Sequence, residues 1–74
     1  MRGYMGNKKM EFRIYQITDF GKRLIDCHSD KAFTIKKASK LAYGNRNLIT
    51  TEWEVDGKKI ELRFDVFGDW RKYK

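Results

Sequence analysis

Proline is absent from this 74-residue sequence, which has a single cysteine and a single histidine. One cysteine excludes an intramolecular disulfide framework and fits a reducing compartment. Cys27 and His28 are chain neighbours, and on a strand neighbours point to opposite faces, which keeps a thiol nucleophile from a histidine base. A structural zinc takes about four ligands, so this pair cannot build one. No apolar run approaches the ~18 residues that cross a membrane, and the opening MRGYMGNKKM lacks the apolar core of a signal peptide. The glycines at 3, 6, 21, 44, 57 and 68 are scattered, without phosphate-loop or dinucleotide spacing. These absences predict a cytoplasmic, non-enzymatic protein with no metal, no cofactor and no membrane insertion.

Charge and rings are what the chain does have. Lysine and arginine total 17 against 10 carboxylates, a net charge of +7, and aromatic residues make up 15%. At 41% hydrophobic the chain is too apolar to stay disordered, and its length allows one small domain. The excess is uneven: over residues 29–46 one carboxylate, Asp30, faces Lys31, Lys36, Lys37, Lys40 and Arg46. Such a field attracts polyanions, nucleic acid first, and also acidic protein surfaces.

The strongest local signal is Asp56-Gly57 between LITTEWEV and KKIELRFDVF. Two residues able to take positive φ make a type I′ hairpin turn. Closing it there pairs Val55 with Lys58, Trp53 with Ile60, Thr51 with Leu62 and Ile49 with Phe64, so one face is apolar. The other face collects Thr50, Glu52, Glu54, Lys59, Glu61, Arg63 and Asp65. With Glu54 opposite Lys59 and Glu52 diagonal to Arg63, those carboxylates read as a salt-laced solvated surface, not as catalytic acids.

Alternation also begins at Met10, with Phe12, Ile14 and Gln16 on one side and Glu11, Arg13, Tyr15 and Ile17 on the other. Thr18 to Gly21 read as a turn, and Lys22 to His28 as the returning strand. Setting Ile14 opposite Ile25 puts Phe12 against Cys27 inside, with Arg13 against Asp26 and Glu11 against His28 outside.

Ser29 or Asp30 can cap a helix that ends before Gly44. Ile35, Ala38, Leu41 and Ala42 form its apolar arc, with Lys36, Lys37 and Lys40 opposite. The expected architecture is α+β, in the order β-β-α-β-β: two hairpins in a four-stranded, mainly antiparallel sheet with one helix on one face. The domain spans 10–67, between a basic arm (1–9) and a basic aromatic tail (68–74). The expected core is Phe12, Ile14, Ile25, Ile35, Leu41, Ile49, Trp53, Ile60, Leu62, Phe64 and Val66.

Two features point to binding. Lys36, Lys37 and Lys40, extended by Lys31 and Arg46, can follow a phosphate backbone. Trp70, Arg71, Lys72 and Tyr73, with Arg2, Tyr4, Lys8 and Lys9 in the arm, interleave rings and cations as single-stranded nucleic acid requires. Against these stand a merely solvated helix face and a Trp70 that folds back over the core edge. The expected function is binding of nucleic acid or a nucleoprotein. The alternative is an inhibitor or adaptor that docks an acidic protein through a sheet edge or through Tyr15, Phe20, Phe67 or Trp70. No device against edge pairing is evident, so both a monomer and an edge-paired homodimer are open.

Overall fold

The computed structural model describes residues 10–73, so the arm at 1–9, with Arg2, Tyr4, Lys8 and Lys9, lies outside the described residues. Its elements are β1 (Phe12–Thr18), β2 (Gly21–His28), α1 (Lys31–Ala42), β3 (Leu48–Val55), β4 (Lys58–Phe64) and β5 (Trp70–Tyr73). All pairings are antiparallel, in the order β2-β1-β3-β4-β5.

The β3-β4 hairpin has the expected register, from Val55 opposite Lys58 to Ile49 opposite Phe64. Asp56 (φ 52°) and Gly57 (φ 79°) both take positive φ, as a type I′ turn demands. Helix α1 starts where Asp30 caps it: the carboxylate accepts from Phe33 N at 3.0 Å, and Asp30 O accepts from the Thr34 hydroxyl at 2.6 Å. Thr34, Ala38 and Ala42 are its buried residues, and their small size lets the helix lie close over β1, β2 and β3. Phe12, Ile14, Ile49, Trp53, Leu62 and Phe64 fill the space beneath, flanked by Ile35, Leu41 and Ile60. The Phe12 and Trp53 rings meet at 5.2 Å, tilted by 60°, within the range of favourable aromatic pairs.

The first hairpin departs from expectation. From Thr18 opposite Gly21 to Tyr15 opposite Leu24 the register is the expected one; then Ile14 faces Asp26, Arg13 faces Cys27 and Phe12 faces His28. Ile25 is an extra residue, a β-bulge, and beyond it every side chain changes face. Asp26 and His28 therefore lie on the helix side, Cys27 is exposed, and Ile25 is 39% exposed rather than in the core.

Residues beyond Phe67 also differ. Trp70–Tyr73 is a fifth strand, pairing Phe64 with Trp70 and Glu61 with Tyr73, where the sequence suggests a tail and a four-stranded sheet. A tight loop makes this return possible. Asp65 Oδ1 accepts from Phe67 N (2.9 Å) and Asp69 N (3.1 Å), and Gly68 reverses the chain at φ 85°. That loop is fastened to the helix: Ser39 Oγ donates to Gly68 O (2.7 Å) and Gly44 N to Val66 O (2.9 Å). Val66 lies in the loop, 46% exposed, and is not a core residue.

Candidate nucleic-acid interface

The helix carries the lysines out of its own periodicity. At about 100° per residue, Lys36 and Lys40 form a ridge one turn apart, with Phe33 and Lys37 to one side and Ala32, Ile35 and Ser39 to the other. Both ridge lysines are exposed, and neither makes an ion pair among the described residues. A hollow lies on each side of them. One is lined by Phe33 and Lys37 together with the ridge. The other runs from the ridge to Gly68, Asp69 and Trp70. The fastened β4-β5 loop thus brings Trp70 up beside Lys36 and Lys40, which the sequence could place only in a separate tail.

Lys37 is not part of the free ridge. The bulge turns Asp26 towards the helix, and Lys37 Nζ is bonded to its Oδ2. His28 Nε2 reaches the same oxygen at 2.9 Å. The Lys37 ammonium, helped by the Cys27 amide and the His28 ring, holds the Asp26 carboxyl down at about 2. His28 in turn meets the Phe33 ring edge to face, centroids 4.8 Å apart at 83°. Phe33 remains 52% exposed while being held in place.

The other expected binding residues scatter. Lys31 points its ammonium at the buried Trp53 ring, 5.3 Å from the centroid, a cation–π contact. Arg46 is exposed in the link between α1 and β3. Lys72 lies opposite Leu62, on the helix side of β5, but Arg71 and Tyr73 lie opposite Arg63 and Glu61, on the far face of the sheet. There the Arg63 guanidinium stacks on Tyr73 with Cζ 3.5 Å from the ring centroid, and its Nε donates to Glu61 Oε2 at 2.9 Å. Of the expected residues, then, Lys36, Lys40 and Trp70 share one site, with Lys37 at its margin.

The open sheet face is salt-laced as expected, but with other partners: Lys59 lies opposite Glu54 yet its ammonium reaches Glu52, and Arg63 pairs with Glu61. Glu52 does not reach Arg63; it is buried under Lys22 (2.7 Å) and Lys59 (3.6 Å). The hydrogen bond to Glu52 raises the Lys22 pKa above 10.5, against a smaller desolvation effect. Lys22 also lies 4.6 Å from the Tyr15 ring centroid. Positive and negative groups are matched here, which leaves the helix side as the less compensated surface.

Phe33 and Asp26 are what the sequence reading missed. Phe33 carries a usable signal, an aromatic three residues before Lys36 on the outer arc. Asp26 carries none, because an edge-strand bulge without glycine has no sequence signature. Among the described residues no group of three or more His, Cys, Asp or Glu side chains could hold a metal ion, and no helix is long and apolar enough to cross a membrane. No family model, curated protein or solved structure matches the chain.

Proposed function

We propose that this domain is a non-enzymatic module that binds nucleic acid, alone or within a nucleoprotein, through the Lys36-Lys40 ridge and Trp70. The observation that carries the reading is the convergence on one hollow of a 48% exposed tryptophan and two lysines that make no ion pair among the described residues. Lysines one helical turn apart neutralise successive phosphates and release their counterions, giving affinity that falls steeply with salt.

The test is fluorescence anisotropy of labelled single-stranded DNA, RNA and duplex DNA over a range of salt. Replacing both Lys36 and Lys40 by alanine should flatten the slope of log K against log salt by roughly 1.4 to 1.8, from ~0.7 to 0.9 per phosphate contact. An unchanged slope overturns the ridge as the site.

A second reading, an adaptor or inhibitor docking an acidic protein surface, draws on the end of the molecule where three connections meet. Register puts the β1-β2 turn, the α1-β3 link and the β4-β5 loop at the same end of the sheet. Each exposes a ring: Phe20 fully, Tyr43 at 73% and Phe67 at 74%. Exposed rings are the usual anchors of protein interfaces. Edge pairing is the weaker version of this reading, since β2 carries the bulge and β5 is only four residues long with Arg71 and Lys72 on it, features that blunt an edge. Under this second reading Phe20→Ser with Phe67→Ser abolishes capture of the partner, and the lysine pair does not.

A further inference from the structure

We infer that the ligand of the ridge is single-stranded nucleic acid, held with one base on Phe33 and another on Trp70, and that Phe33 is a binding residue in its own right. This rests on the nucleic-acid reading above and narrows it. The ridge lysines stand between two hollows, and each hollow has one half-exposed ring in or beside its wall: Phe33 at 52% and Trp70 at 48%. A backbone following Lys36 and Lys40 therefore passes with a ring on either hand.

The Phe33 ring is anchored from behind, and the backbone that carries Trp70 is fixed. His28 meets Phe33 edge to face, and the strand pair with Phe64 and the Gly68-Ser39 hydrogen bond set the Trp70 backbone. A pre-positioned ring loses little freedom when a base stacks on it. Duplex bases are paired and stacked on one another, so only an unpaired strand can offer a base to each ring. Stacking accepts any base, so the site has little sequence preference. Asp69 in the Trp70 hollow disfavours a phosphate there, which leaves that hollow to the base.

The experiment titrates the full chain with oligo(dT), oligo(U) and a DNA duplex, each of about 12 units, within the ~4–16 nucleotide sites of single-strand binders. Trp53 is buried and Trp70 is not, so base stacking reports as quenching of the exposed tryptophan fluorescence. Either single strand should quench it and bind more tightly than the duplex, and the better of the two identifies the sugar. Phe33→Leu and Trp70→Leu keep apolar bulk but remove the ring, and each should weaken single-strand binding roughly 5- to 150-fold while leaving duplex binding unchanged. Equal affinity for duplex and single strands, or ring variants that bind as the parent does while the lysine pair still matters, overturns the stacking inference and leaves the nucleic-acid reading standing. No binding by any of the three probes at low salt overturns both.

Discussion

Replacing Gly68 by alanine tests the joint that brings Trp70 to the ridge. Gly68 sits at φ 85°, and a Cβ there would lie 2.8 Å from Ser39 Oγ and 3.0 Å from Ser39 O. The hydroxyl can rotate away, but the carbonyl belongs to the helix backbone and cannot. A left-handed backbone costs a residue with a Cβ about 1–2 kcal/mol. Losing the 2.7 Å hydrogen bond from Ser39 to Gly68 O adds about 0.5–1.5 kcal/mol. The sum, about 1.5–3.5 kcal/mol, is a large part of what a domain this small can have. At about 4–8 °C per kcal/mol the melting temperature should fall by roughly 6–28 °C. Circular dichroism melts and urea midpoints read this directly. Ser39→Ala alone removes the hydrogen bond without the backbone strain and should cost only about 1 kcal/mol. A Gly68→Ala melt within about 4 °C of the parent, under ~1 kcal/mol by the same scale, would refute a β4-β5 loop docked on the helix, and with it the place of Trp70 beside Lys36.

Other expectations follow from the cap and from the Asp26 cluster. Asp30→Ala removes the acceptor for Phe33 N and should lower stability by about 1 kcal/mol, read as a fall of about 4–8 °C in Tm. Asp26 has its carboxyl depressed from 3.8 to about 2 by Lys37, so its contribution is complete above pH 3.8 and is lost as pH falls through about 2. Urea midpoints should therefore decline more steeply between those pH values for the parent than for Asp26→Asn. The same Asp26→Asn change frees Lys37, and in salt titrations it should steepen single-strand binding by about 0.7 in log–log slope; an unchanged slope would mean that Lys37 does not reach the ligand.

The parts of the fold legible in the sequence are those whose geometry is set locally. Asp56-Gly57 fixes every pair of the second hairpin because a two-residue turn leaves no choice of register. Asp30 and Gly44 bracket α1 because a cap and a positive-φ glycine (φ 72°) mark helix ends by themselves. What was not legible depends on partners distant in sequence. β5 is four residues long, too short to show alternation, and exists because Ser39 and Asp65 hold the loop before it. The Lys36-Lys40 ridge could be read from helical spacing alone, whereas the arrival of Trp70 beside it could not.

The bulge at Ile25 governs which charges and rings the site presents. Had the first hairpin kept one register, Ile25 and Cys27 would lie under the helix, and Asp26 and His28 would face solvent on the open side. Lys37 would then lose its carboxylate partner, and Phe33 would lose the imidazole that steadies it. One extra residue in an edge strand reverses all of this: Asp26 takes Lys37 out of the free ridge, and His28 sets the Phe33 ring beside Lys36 and Lys40. The same residue breaks the outer ladder of β2, which hinders pairing with another chain. Edge protection and the composition of the helix surface therefore have one structural cause. The exposure of Ile25 costs apolar burial, and the Asp26-Lys37-His28 cluster with its ring contact is what stands against that cost.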